Sequence, residues 1–183
     1  MNPQNNALET LTLGGGCFWC TEAVYVRVKG VIDVESGYCN GQTVDPSYEQ
    51  VCGGRTGHAE VVKLVYDPAM VSVRELLEVF FVIHDPTTLN AQGNDHGTQY
   101  RSGVYYSTQE QQQVAVALID ELRLAQAFSR PIVTEVLPLT NYWPAEDYHQ
   151  DFFERNPHQG YCMAVAAPKV VKFRNTFARL VRD

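Results

Sequence analysis

Three consecutive glycines, Gly14-Gly15-Gly16, join an alternating apolar segment to one that opens with Cys17. Glycine lets a backbone turn sharply and approach a ligand closely. The junction therefore predicts a strand over Leu8–Leu13, a tight turn, and a helix over Cys17–Val28 that Gly30 stops. Cys17 falls in the first helical turn, where unpaired N–H groups and the positive dipole end favour a thiolate. A free thiol has a pKa of about 8.5, and this placement is expected to lower it. Cys20 follows at i+3, on nearly the same face, while Phe18 and Trp19 set an aromatic wall beside the sulfur. The bland alternative is a buried thiol among core aromatics. The glycine triplet and the second thiol favour chemistry.

Past Gly30 the pattern predicts a strand over Val31–Tyr38 and a long polar loop, 40–57. A strand over His58–Tyr66 ends at Asp67-Pro68, and Ser72 caps a helix running through Val82. A second long loop, 84–99, precedes a strand over Tyr100–Tyr106 and a helix from the cap Thr108 to about Phe128. Ile132–Leu137 reads as a strand, and helical stretches are expected near 145–155 and 172–182. Residues 1–6 are polar and read as loose. Such alternation of strands and helices predicts a two-layer α+β fold. No composition shift marks a boundary, so 7–183 is expected to be one domain. The two long loops need a purpose and are candidates to line a site.

The 183 residues carry 14 basic and 21 acidic side chains, a formal charge of −7. That balance argues against nucleic acid or an anionic membrane as the main partner. No apolar run approaches the roughly 18 residues of a membrane span, and the opening MNPQNNALETLTL lacks the basic and apolar regions of a secretory signal. The expectation is a cytoplasmic monomer. Five cysteines, at 17, 20, 39, 52 and 162, are then unusual, because stable disulfides are rare in reducing compartments and thiols there serve redox or metal chemistry. Only Cys17 and Cys20 form a CxxC pair, and no second pair completes a zinc site.

The glycine turn continues as GCFWC at 16–20, and further blocks follow in order. They are Ser36-Gly37-Tyr38 with Asn40-Gly41, Tyr48–Cys52, Thr56–Glu60, Asn94–Ser102, Tyr148–Asp151 and Gly160-Tyr161-Cys162. Together they resemble the A-type peptide methionine sulfoxide reductases over residues 14–162, nearly the whole chain. With the resemblance, the expected fold is a ferredoxin-like two-layer sandwich, helices on a mixed, mostly antiparallel sheet, with long loops lining the site.

The resemblance implies reduction of methionine S-sulfoxide in proteins and as the free amino acid. Cys17 would be the nucleophile, and Glu60 the proton donor that turns the sulfoxide oxygen into a leaving group. Glu60 sits in an apolar strand on one face with His58, Val62 and Leu64, a setting that raises a carboxyl pKa; without the resemblance it reads as a solvent-facing strand residue. Tyr48 and Tyr100 match the two phenols that bind the sulfoxide oxygen, Asp95 matches a residue that orients the site, and Phe18 and Trp19 match the pocket for the ε-methyl group. Cys162 matches the resolving cysteine, on a stretch that reads as mobile, and Cys20 is a second candidate where many members have Gly. His149 and Asp151 support the site or merely the fold. Thioredoxin is the implied reductant, with no metal or organic cofactor. Met163 stands where His often follows the recycling cysteine, and Cys39 stands where Ala is commoner. Cys39 and Cys52 take no role. Two rivals stay open: a thiol–disulfide oxidoreductase built on Cys17 and Cys20, and a redox-sensing or zinc-holding module without catalysis.

Overall fold

The computed structural model describes residues 7–183; the segment 1–6 read as loose lies outside them. Strand β1 (Glu9–Gly14) alternates as its sequence predicts and inserts between two partners. It pairs antiparallel with β3 (Ala59–Tyr66), Leu13 facing Val62, and with β6 (Gly103–Tyr106), Leu13 facing Val104. On the other side β3 pairs antiparallel with β2 (Val31–Cys39), bulged near its start, so that Tyr38 faces Glu60. The edges are β7 (Glu135–Pro138), parallel to β6, and β8 (Tyr142–Pro144), antiparallel to β2. The six-stranded order is β7-β6-β1-β3-β2-β8. The architecture is α+β with a mixed sheet.

Period-two alternation splits β3 between two cores. Val62 and Leu64 join Leu11 and Leu13 in the larger one, and Ala59 and Val61 pack with Cys39 and Tyr105 on the opposite face. The larger core is closed by α1 (Phe18–Tyr25), α3 (Val73–Ile83) and α6 (Ala167–Thr176), with Val24, Phe80 and Phe173 fully buried. A fully buried Phe or Leu contributes roughly 1.5–3 kcal/mol. Helix α4 (Gln109–Leu124) covers β6 behind Ala115 and Ile119.

Several expected boundaries move, each for a local reason. The first helix ends at Tyr25 because Val28 leaves it to form a β-bridge with Val181. The 40–57 loop contains α2 (Tyr48–Cys52), launched by a reciprocal cap: Ser47 Oγ accepts the Gln50 amide and Gln50 Oε1 accepts the Ser47 amide. Tyr100 closes a 3-10 turn, Thr98–Tyr100, rather than opening a strand. A two-residue hairpin, β4 (Ala91–Gln92) with β5 (Asp95–His96), occupies the 84–99 loop. The fourth helix stops at Leu124, since Gln126 takes φ +50. The stretch 145–155 divides at Asp151, φ +54, into a 3-10 turn and α5 (Phe152–Arg155). Cys162 lies on no mobile stretch: helical backbone runs from 160 to 176. Pro168 is tolerated in the first turn of α6, and a π-turn, Cys162–Ala166, precedes it. No helix among the described residues is long and apolar enough to cross a membrane.

Candidate active site

Gly16 takes φ +95, and a Cβ there would stand 2.7 Å from Gln92 Cγ, so the turn closes against β4 only with glycine. Cys17 becomes the N-cap of α1; its carbonyl accepts the Cys20 amide at 3.1 Å, and it is 9% exposed.

Glu60 comes to the same place from β3, one strand away. It is 1% exposed. Its Oε1 lies 3.4 Å from the Phe18 amide, while Oε2 is buried without a hydrogen-bond partner. Burial lifts this carboxyl from an ordinary 4.5 to about 8, against the Phe18 amide, which favours ionisation. It is therefore protonated at neutral pH.

The two thiols of the CxxC pair contact each other, and their polarity reverses the expected one. Burial pushes Cys17 well up, helped by the hydrogen bond it gives Cys20 and, once Glu60 ionises, by that carboxylate's charge; only the Trp19 amide opposes. Cys20 is pulled down, first by the hydrogen bond from Cys17, with Tyr161 and Lys169 assisting against desolvation. Desolvation of Cys17 outweighs the helix terminus. Of the two, Cys20 is the more acidic thiol. Its S–H donates to Tyr161 Oη at 3.7 Å, and the Tyr161 O–H donates in turn to Asp95 Oδ2 at 2.6 Å.

Tyr48 and Tyr100 are half-buried, and burial pushes both phenols up, further still once Glu60 ionises, so each keeps its O–H. Glu146 steadies Tyr48: its Oε2 accepts the Tyr48 amide at 3.0 Å and its Oε1 accepts the Tyr38 hydroxyl at 2.9 Å. Phe18 is buried, so the accessible aromatic wall is Trp19. Its indole N–H donates to His149 Nδ1 at 3.0 Å, and its face stacks on Phe152 at 3.7 Å and 6°. The His149 ring also packs 4.4 Å from that of Tyr48.

Cys17, Cys20, Glu60, Tyr48, Tyr100, Asp95, Phe18 and Trp19 thus converge on the head of α1. Cys39 does not; it is buried in the opposite core. Cys52 is exposed one turn after Tyr48. Cys162 is fully buried beside the Tyr161 that contacts Cys20. Tyr161 and Glu146 escaped the sequence reading: Tyr161 was visible only as part of Gly-Tyr-Cys, and nothing local marks Glu146. A groove of about 980 Å³ between α3, α4 and α6 is lined by none of the converging residues. No group of three or more His, Cys, Asp or Glu among the described residues is arranged to hold a metal ion.

Known proteins are similar to this chain over nearly its whole length. The family profile described as peptide methionine sulfoxide reductase matches residues 9–180. A protein of Polynucleobacter asymbioticus named peptide methionine sulfoxide reductase MsrA is 56% identical over 174 residues, 95% of this chain and 92% of its own. One of the same name from Deinococcus radiodurans is 52% identical, covering 96% and 85%. Among solved structures, reduced Mxr1 from Saccharomyces cerevisiae superposes with a TM-score of 0.79 at 36% identity, over 90% of this chain and 94% of that one. A structure of Mxr1 in complex with Trx2 matches with a TM-score of 0.55 at 25% identity, over 83% and 89%. The chain belongs to the peptide methionine sulfoxide reductase family.

Proposed function

We propose that this chain reduces methionine S-sulfoxide, in proteins and as the free amino acid, to methionine. The observation that carries the reading is a protonated carboxyl, Glu60, with one oxygen free of partners, at the head of the helix that Cys17 caps. Cys17 first gives its proton to the thiolate form of Cys20, the more acidic of the two thiols. The thiolate attacks the sulfoxide sulfur, and Glu60 protonates the oxygen, which Tyr48 and Tyr100 hold as neutral donors. Attack forms a bond between Cys17 Sγ and the substrate sulfur; the protonated oxygen then moves from that sulfur to Cys17 Sγ as the sulfur–sulfur bond breaks. Methionine leaves, Cys17 is a sulfenic acid, and Glu60 is ionised. Trp19 and Phe18 enclose the ε-methyl group, and Asp95 orients the site through Tyr161.

A second thiol then condenses with the sulfenic acid, releasing water and forming a disulfide. Cys20 is in contact and takes this step; Cys162 follows by thiol–disulfide exchange, freeing the Cys17 thiol. A dithiol protein of the thioredoxin class reduces the final disulfide, a partner supported by the Trx2 complex of the yeast relative. No metal or organic cofactor enters this cycle, and the unit is a cytoplasmic monomer. Residues 7–183 form one domain, consistent with a family match over 9–180. The inner strands β6-β1-β3-β2, all antiparallel, with α1 between β1 and β2, support a ferredoxin-like two-layer arrangement.

The test is mass spectrometry of each Cys→Ser variant after one turnover with a methyl sulfoxide. Without added reductant wild type forms about two equivalents of methionine, because exchange onto Cys162 frees Cys17 to attack again, Cys162→Ser forms about one, and Cys17→Ser forms none. Full single-turnover activity in Cys17→Ser overturns the mechanism. The Cys17–Cys20 contact also suits a plain thiol–disulfide oxidoreductase, and full turnover in Glu60→Gln would favour that reading.

A further inference from the structure

The catalytic cycle leaves one buried carboxyl of α1 without a role. Glu22 stands one turn after Trp19, at i+3, and is only 2% exposed. Its Oε1 accepts the Asp151 amide at 3.0 Å, and its Oε2 is buried with no hydrogen-bond partner. A small cavity of about 280 Å³ lies against it, lined also by Asp33, Glu35, Asp151 and Arg182. A buried carboxyl that is half satisfied costs free energy where Leu would not. Such a group persists for what it holds.

What it holds is the turn that grips Trp19. We propose that Glu22 is a positioning residue for the substrate pocket, anchoring the turn 149–152 that clamps Trp19 on its edge and its face. The edge contact is His149 Nδ1, which accepts the indole N–H at 3.0 Å. The face contact is Phe152, parallel to the indole within 6° at 3.7 Å. Between them Asp151 takes φ +54, the left-handed region that few residues besides Gly, Asn and Asp adopt. The Glu22–Asp151 hydrogen bond is made at that residue, so it holds the left-handed torsion at which the chain changes direction. Gln150 ties the same turn to β2, its Oε1 accepting the Ser36 amide at 2.9 Å and its Nε2 donating to the Ser36 carbonyl at 2.9 Å. The β2 tie sets where the turn lies; the Glu22 tie sets the torsion that brings Phe152 flat against Trp19. Burial lifts the Glu22 carboxyl to about 7, and Oε1 accepts an amide N–H in either protonation state. A glutamine, which keeps that oxygen, therefore preserves the grip.

The proposal rests on the assignment of Trp19 to the substrate pocket, and the experiment separates the two. The full chain is assayed with N-acetylmethionine sulfoxide and dithiothreitol as Glu22→Ala and Glu22→Gln, each alone and combined with Trp19→Phe. Glu22→Ala is expected to raise KM about tenfold while the single-turnover rate at saturation stays within about twofold. Glu22→Gln stays within about twofold of wild type in both. In the Trp19→Phe background Glu22→Ala adds less than about twofold to KM, since the clamp then has no indole to hold. Tryptophan emission shifts to the red in Glu22→Ala and not in Glu22→Gln. Equal KM effects with and without Trp19, or a glutamine variant as impaired as alanine, overturn the proposal alone. An unchanged KM in Trp19→Phe itself removes the pocket assignment, and the clamp with it. Should Glu22→Ala fail to fold, Phe152→Leu removes the stacked face from outside α1 and must raise KM by a similar factor, or the proposal fails.

Discussion

The Phe18 amide lies 3.4 Å from one carboxyl oxygen of Glu60, and the other oxygen is buried with nothing to bond. An acid held this way donates its proton only to something that enters the site. Replacing it by the isosteric amide keeps the contact with Phe18 and removes the proton. Glu60→Gln is therefore expected to slow methionine formation in a single turnover by about 10² to 10⁴-fold, with the fold retained. The rapid-quench yield of methionine checks it.

The same carboxyl makes stability depend on pH. Its folded pKa, about 8, is raised above its ordinary 4.5. Below pH 4.5 it is protonated whether folded or not and costs nothing. As pH rises towards 8 the unfolded chain ionises while the folded one does not, and stability is lost across that window. The loss is on the order of 3–5 kcal/mol at pH 8. Glu60→Gln has no such loss, so its Tm exceeds that of wild type at pH 8 and the gap closes near pH 4.5. Chemistry in wild type falls over the same range in which Glu60 ionises.

Tyr48 and Tyr100 each keep an O–H because burial disfavours the phenolate. Tyr48→Phe and Tyr100→Phe each remove one donor to the developing oxygen charge and are expected to lower the rate of methionine formation by about 10² to 10³-fold, with little change in KM. Glu146 acts on Tyr48 through its backbone amide. Glu146→Ala frees the start of a five-residue helix, so it reproduces part of the Tyr48→Phe loss and costs about 1–3 kcal/mol of stability, left in the Tyr38 hydroxyl and the Tyr48 amide. Chemical denaturation and single-turnover kinetics separate these effects.

Thiol accessibility distinguishes the five cysteines. Cys52 is exposed and Cys39 and Cys162 are fully buried. Iodoacetamide on the native reduced chain is expected to label Cys52 first, Cys17 and Cys20 more slowly through the pocket, and Cys39 and Cys162 only on unfolding. Cys20→Ser removes both the proton acceptor of Cys17 and its contacting thiol. It should slow methionine formation and leave a Cys17 sulfenic acid that dimedone traps.

Much of this was legible in the sequence. Alternation located β1, β2 and β3, and Ser72 and Thr108 cap their helices as expected. The errors have a common origin. α2 hides in a polar loop because its cap is local but its five residues carry too little periodicity to register. Cys162 reads as part of a mobile stretch because that stretch is rich in Asn, Pro and Gly, whereas helical backbone runs through it from 160 to 176 and tolerates Pro168 in the first turn of α6.

By itself the sequence determined the thiol at a glycine-forced turn, the second thiol one helical turn later, and the blocks that identify the family. These follow from local geometry: a glycine triplet turns, and i and i+3 share a face. Only the tertiary structure decided the electrostatics. Which of Cys17 and Cys20 is the more acidic depends on burial, on the charges of Glu60 and Lys169 and on the Tyr161 hydroxyl, which arrive from 40 to about 150 residues away. The acidity of Glu60 likewise depends on a desolvation that no neighbour in sequence imposes. Desolvation is a property of the packed surroundings, and it outweighed the helix terminus that the sequence displays.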